Sequence, residues 1–431
     1  MSKHLYPVVW VLWASVSAGA DTVSTKVPEG DALFGEVRSK MIANLSRLPN
    51  YTCLQTIERK VRRAPSRRYE LVDMVRLEVA LVNGKELFSW PGAGNFEDKE
   101  ISQIVSGGAI GNGTFAMHAK SIFQSRNARI TYVGAVTRNN RAVLQWDYQV
   151  PKLLSGYTLR SGSREAIVGY HGTIWVNPET LDLLRLEVEA DNIPPELHMA
   201  RAMDSVDYMR AEIGGQNFLL PQSAELKMVD EGNSESLNVT QFTGCRQYSG
   251  ESVLVFSDPA PDGGAPAAAP KTIEVPGGLV LEVALETPIA SATSATGDPV
   301  TAVLRKAVKK SGAVIAPKGA LLRGRITTLR RENGPRSAYY VVGLAFFEME
   351  FPGAKGAIRT ELDQIVAAGG AISGPGATRF GAHVRMNAGM AQIGQAKLDL
   401  PGSVFFIGGD SFKLARGLLM FWRTQSPSEE K

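Results

Sequence analysis

The chain has 431 residues, too many for one ordinary hydrophobic core, so two domains are expected. A composition of 44% hydrophobic and 21% charged residues excludes global disorder. The net charge of +4 is small for this length and neither demands nor excludes an anionic partner.

"MSKH" opens the chain with positive charge, and "LYPVVWVLWASVS" follows as an apolar run. "AGA" at Ala18–Ala20 is a small-x-small cleavage site before Asp21. This is the layout of a secretory signal peptide over residues 1–20, cleaved after Ala20. The run is shorter than the roughly 20 residues that span hydrocarbon. An uncleaved anchor or a buried N-terminal helix is the alternative.

"DALFGEVRSKMIANLSRLP" places Leu33, Val37, Met41, Leu45 and Leu48 on one helical face, with Asp31 as N-cap and Pro49 as stop. Strands follow. "YELVDMVRLEVALV" and "NGKELFSW" meet at Asn83-Gly84, a type I′ hairpin signal. "ARITYVGAV" and "AVLQWDYQV" flank "TRNNR", and "HGTIWV" and "LLRLEVEA" flank "NPETLD". Leu184, Leu186 and Val188 alternate with Arg185, Glu187 and Glu189, so that strand has one apolar and one wet face. "QNFLLPQSAELKMVD" and "LNVTQFTGCRQY" form the last hairpin of this half. Helices are expected in "NFEDKEISQIV", "FAMHAKSIFQS" and "ELHMARAM".

"SDPAPDGGAPAAAPKT" has no periodicity and reads as a linker. The strands beyond it are "LVLEVALETPI", the almost wholly apolar "SAYYVVGLAFFEMEF", "GSVFFIGG" and "LARGLLMFW". The apolar run suits a central strand buried on both faces. The fold class expected is mainly β: an N-terminal helix and a curved antiparallel half-barrel with short plug helices over 31–257, a linker over 258–272, and a second small β-barrel or sandwich over 273–424. Residues 425–431 are expected to be a disordered tail.

The order of elements, with "YTCLQTIER", "ELFSWPGAGNFED", "GYHGTIWVNPETLDLLRLE", "DSVDYMRAEIGGQNFLLPQSAEL" and "FTGCRQYSGESVLVF", resembles the LolA/RseB-like superfamily of periplasmic lipoprotein carriers. That resemblance implies a curved sheet half-enclosing an apolar cavity, a periplasmic or cell-envelope location, and binding of acyl chains or lipidated proteins. The C-terminal "LVLEVALETPI", "TGDPVTAVLRKAV" and "GAVIAPKGALLRGRI" are similar to a TrbI-like β-barrel module of bacterial envelope proteins. The turn Ala316-Pro317-Lys318-Gly319 carries that likeness and needs no chemistry.

Catalytic signals are weak. His4, His118, His171, His198 and His383 include no pair at metal-ligand spacing, and neither cysteine has a Cys or His within five residues. No Gly-x-Ser-x-Gly elbow occurs. The glycines of "SGGAIGNGTF" lack phosphate-loop order and read as a hinge or a gate between the plug helices. No catalytic residue, metal or cofactor is expected.

Arg59, Lys60, Arg62, Arg63, Arg67 and Arg68 crowd ten positions. With only Tyr69 as an aromatic neighbour they do not suit nucleic acid. They read as a solvated turn around Ala64-Pro65-Ser66, or as peripheral contact with anionic headgroups at ~1 kcal/mol per residue. Cys53 and Cys245 are the two cysteines of an exported chain, which suggests a disulfide; two buried thiols are the alternative.

The first reading is a non-enzymatic exported envelope protein. It binds an apolar ligand or lipidated protein at Trp90, Phe115, Phe123 and Trp175, and docks an envelope protein partner through its C-terminal half. The others are an assembly component of a secretion or conjugation machine, and an envelope hydrolase.

Overall fold

The computed structural model describes residues 29–93, 95–99, 101–105, 115, 117–125, 127–248, 271–334, 338–366, 372–373 and 403–426. The expected signal peptide, the glycine-rich segment 106–114 and the linker up to 270 lie outside them.

The first half runs α1 (Glu29–Arg47), β1 (Tyr51–Arg62), β2 (Glu70–Val82), β3 (Lys85–Ser89), α2 (Ile101–Ile104), α3 (Met117–Phe123), β4 (Arg129–Arg138), β5 (Arg141–Val150), β6 (Thr158–Ser161), β7 (Arg164–Ile167), β8 (Gly169–Val176), β9 (Leu183–Asp191), β10 (Met199–Ile213), β11 (Gln216–Asp230) and β12 (Glu235–Gln247). The second half runs β13 (Lys271–Thr272), β14 (Val280–Leu285), β15 (Ile289–Ala290), β16 (Pro299–Leu304), β17 (Val308–Lys310), β18 (Ala313–Ala316), β19 (Leu321–Asn333), β20 (Ala338–Phe351), β21 (Ala354–Ala357), β22 (Thr360–Val366), β23 (Ile372–Ser373), β24 (Ser403–Gly408), β25 (Lys413–Leu414) and β26 (Leu419–Thr424). The protein is mainly β, as its patterning implies.

In the first half the ladders run β3–β2–β1–β12–β11–β10–β9–β8–β5–β4, antiparallel throughout. The first and last strands, β1 and β12, therefore lie side by side in mid-sheet, while β3 and β4 are its edges. Period-2 alternation sends Tyr51, Cys53 and Ile57 of β1, and Val75, Leu77 and Val79 of β2, to one face. Phe34, Val37 and Met41 of α1 pack on that face, with Leu33, Leu45 and Leu48 partly buried beside them. The helix includes Asp31, so Asp31 is not its cap; it ends at Arg47, two residues before Pro49.

Asn83 and Gly84 both have positive φ, as a type I′ turn needs, and Asn139 and Asn140 repeat this between β4 and β5. One helix expectation fails and another holds only in part. "ELHMARAM" is strand from Met199 onward, because Ala202, Asp204, Val206 and Tyr208 alternate inward along β10. "NFEDKEISQIV" is helical only at Ile101–Ile104, since Glu97 bonds to Phe88 as a β-bridge.

The second half has its own core around Leu281, Leu322, Val342, Leu344, Met420 and Trp422. Its ladders run β22–β26–β14–β16–β19–β20, with β24 and β21 sharing the far side of β20. No ladder among the described residues joins β22 to β20 or β24, so the sheet is open where a closed barrel was one expectation. The cause is a bend at Ile358–Arg359: the chain pairs with β20 as β21, then leaves it for β26 as β22. β20 is central as expected, though Phe347 is exposed. Lys271–Thr272, placed in the linker by sequence, pair with β21, and Gln425 of the expected tail bonds to Arg359 and Glu361.

The halves meet at the edge of β2. β3 covers only Glu78–Val82, and below it Thr296 exchanges backbone bonds with Met74 and Arg76, both at 2.8 Å. Arg76 also donates to Asp298 at 2.5 Å. Recesses of about 340 and 350 Å³ flank this junction, the first beside Arg76 and Asp298, the second beside Met74 and Arg331.

Candidate functional site

The first half carries the candidate site, on the inner face of its sheet. That face is filled from within the chain. Ile101 of α2, Val105 beside it, Phe115, and Ile122 and Phe123 of α3 are all buried there with α1. Phe115 sits between Tyr51 and Phe242 at centroid distances of 5.0 and 5.1 Å, and Phe123 stacks on Phe34 at 6.1 Å. The helices are too short, at four and seven residues, to be stable alone, so packing holds them. A few polar ties add to it. Arg38 of α1 donates to the carbonyls of Phe123 and Ser125, and Lys120 donates to the Gly84 carbonyl at 2.8 Å.

Beneath α3 lies a polar cluster inside this apolar surround. Asp204 of β10 is 4% exposed and His118 of α3 is 8% exposed. His118 Nε2 stands 3.4 Å from Asp204 Oδ2, within ion-pair range but without hydrogen-bond geometry. Tyr157 donates to Asp204 Oδ2 at 2.8 Å, and its ring meets that of His118 edge-on. Ser121 of α3 shares a 2.6 Å bond with the Tyr170 hydroxyl, and Tyr148 donates to the Glu187 carbonyl at 2.6 Å. Gly172 makes that last bond possible, because a Cβ there would overlap the Glu187 carbonyl and the Tyr148 hydroxyl.

The cluster is incompletely satisfied. Asp204 Oδ1, His118 Nε2 and the Tyr208 hydroxyl are buried without a hydrogen-bond partner among the described residues. Such groups are rare and costly in a folded interior. Burial pushes the hydroxyls of Tyr148, Tyr157, Tyr208 and Tyr51 above the usual tyrosine range; Asp204 adds to this at Tyr148 and Tyr157, and Glu86 at Tyr51 and Tyr208. All four remain neutral hydroxyls at ordinary pH.

The aromatic residues singled out from sequence fall in three places. Phe115 and Phe123 are on the inner face. Trp175 alternates with the buried Ile174 and Val176, so it faces outward, where the Arg138 guanidinium lies 4.2 Å over its ring. Trp90 sits at the junction of the halves, with Arg325 5.1 Å over its ring. Sequence reading missed Asp204, Tyr148, Tyr157, Tyr170 and Tyr208; the signal was in "AMDSVDY", which sets an aspartate on the apolar parity of its strand.

The basic run also divides. Arg59 is buried and bonds Asp73 twice, at 2.7 and 2.5 Å, so it is no surface residue. Lys60 pairs with Glu58 at 2.7 Å, and Arg62 pairs with Glu235. Arg63, Arg67 and Arg68 are exposed around the turn. Cys53 and Cys245 are joined as a disulfide, 192 residues apart in sequence. His171 is exposed and bonds Asp191 at 2.6 Å. Among the described residues no group of His, Cys, Asp and Glu is placed to hold a metal, and no helix is long and apolar enough to cross a membrane.

An open antiparallel sheet wrapped on one long helix and plugged by two short ones defines the class of architecture. No protein-family model and no characterised protein sequence matches the chain. Two solved structures are similar. One is a DUF1329 family protein from Desulfovibrio piger, at 11% identity over 53% of this chain and 97% of that one, with a TM-score of 0.30. The other is a domain described as an outer membrane lipoprotein-sorting protein, from Vibrio parahaemolyticus, at 10% identity over 51% and 93%, with a TM-score of 0.29. Neither is described as TrbI-like. At these scores neither likeness assigns a family, ligand or activity to this chain.

Proposed function

We propose that this is an exported, non-enzymatic envelope protein whose first half takes an apolar chain, from a lipid or lipidated protein, into the space its own plug helices fill. The observation that carries the reading is the set of side chains seated there: Ile101, Val105, Phe115, Ile122 and Phe123, all buried yet borne on two short helices and the segments beside them. Each contributes about 1.5–3 kcal/mol by burial, so the plug holds with roughly 8–15 kcal/mol. An acyl chain of about twelve carbons gains about 10 kcal/mol at ~0.8 kcal/mol per methylene. The two are of similar size, which favours reversible exchange. The second half, joined through the β2 edge, is the part that docks a partner.

The test is saturable binding of a neutral apolar dye, N-phenyl-1-naphthylamine, followed by displacement with 1-monoacylglycerols of increasing chain length. Each added methylene is expected to lower the displacing concentration about fourfold, the equivalent of ~0.8 kcal/mol. Absence of saturable dye binding, or displacement indifferent to chain length, refutes the reading.

A further inference from the structure

The polar cluster under α3 specifies the other end of the ligand. Resting on the apolar-chain reading above, we propose that Asp204 of β10, uncovered as α3 gives way, seats a hydrogen-bond-donating head group that is not an anion: a hydroxyl, amide or amine.

The argument is an inventory of donors, acceptors and charge. Asp204 offers Oδ1, a buried acceptor with no partner among the described residues, while Tyr157 already occupies Oδ2. A carboxylate accepts and does not donate, so only a donor satisfies it. The Tyr148 and Tyr170 hydroxyls have their bonds to Glu187 and Ser121, whereas the Tyr208 hydroxyl is unpartnered. The charged groups that act on these tyrosines are Asp204, Glu86 and Glu187, all acidic. His118 is carried on α3 and leaves with it, so an entering head group meets the Asp204 carboxylate of the frame. A carboxylate or phosphate head brought here meets a like charge without a compensating cation, which is among the costliest burials in a protein. A donor head group removes the existing defect at Asp204 instead, and the apolar chain attached to it replaces Ile122 and Phe123.

The experiment compares twelve-carbon competitors against the bound dye at pH 8, below their micelle concentrations: monolaurin, dodecanamide and laurate. In the wild-type protein the first two are expected to displace the dye at tenfold or more lower concentration than laurate. In D204N the gap is expected to shrink below threefold, because the amide supplies a donor of its own; thermal unfolding checks that the variant is folded. Laurate displacing as well as the amide from wild type overturns the proposal, and so does an unchanged gap in folded D204N. Dye binding that follows chain length but ignores the head group overturns this inference alone, whereas no dye binding at all overturns the apolar-chain reading with it.

Discussion

Removal of the Cys53–Cys245 bond by C53A/C245A is expected to lower the unfolding free energy of the first half by about 5 kcal/mol. The residues are 192 apart in sequence. Closing a loop of that length removes about 18 cal/mol/K from the unfolded chain in the chain-entropy account, or about 5 kcal/mol at 25 °C. The folded state offers little to offset this. β1 and β12 are already neighbours: Thr52 faces Arg246 and Leu54 faces Thr243, which leaves Gly244 and Cys245 both opposite Cys53. Gly244 takes φ +58, the left-handed backbone that such a bulge favours. The ladder therefore survives loss of the bond, and the effect falls on the unfolded chain. Two observables follow in urea. The midpoint falls, and the denaturant dependence steepens because an unlinked unfolded chain exposes more surface. Hydrogen exchange of β1 and β12 amides in the variant reports the same loss strand by strand. A stability change under about 1 kcal/mol with unchanged denaturant dependence would refute the reasoning.

Three further outcomes are expected. R59M removes both bonds that Arg59 makes to the buried Asp73 carboxylate and costs about 3–5 kcal/mol, whereas R59M/D73L costs less; urea titration of the two variants is the check, and a double-variant loss as large as the single one would contradict it. The hydrogen bond from Tyr69, with those from Lys227 and Arg62, holds the Glu235 carboxyl down to about 2. Its folded value thus lies below its unfolded one, so its contribution is complete above the unfolded value of about 4.5 and is lost as pH falls toward about 2; thermal midpoints of wild type and E235Q across that window should converge. Finally, R63E/R67E/R68E should weaken partition onto anionic vesicles at low salt by more than tenfold, given ~1 kcal/mol per basic residue near the surface, and equal binding by the variant removes the membrane-contact idea.

Much of the frame was legible because it is local. Asn83-Gly84 announces its turn, the alternation in β9 and β14 announces burial, and Pro49 lies just past the helix end. Arg59 was misjudged because a run of charges was counted as composition instead of direction. It shares parity with Cys53, Gln55 and Ile57, which already placed it inward; its partner Asp73 lies on the neighbouring strand and is fixed only by the β1–β2 register. Trp175 fails in the same way beside Ile174. The polar cluster was invisible for a different reason. Its members come from α3, β5, β8, β10 and the segment before β6, and nothing in the chain says that those elements share one interior.

Strength in the first half is divided between a frame and a plug, and the division bears on how a ligand enters. The frame is ten strands in unbroken succession, with β1 and β12 stapled at the middle. The plug shares no ladder with it among the described residues, apart from the bridge that Glu97 makes to Phe88 ahead of α2. α3 is held by apolar contact and by a few side-chain bonds from Arg38, Lys120 and Ser121. Lifting α3 therefore breaks packing and those bonds while leaving every sheet hydrogen bond intact. It also uncovers Asp204, whose Oδ1 has no donor among the described residues. A ligand with length but no donor replaces the packing and leaves Asp204 Oδ1 dry and without a donor; a donor without length cannot replace Ile122 and Phe123. Only a molecule with both restores what displacement of α3 removes, so the frame can stay rigid while specificity is set at the seat of one short helix.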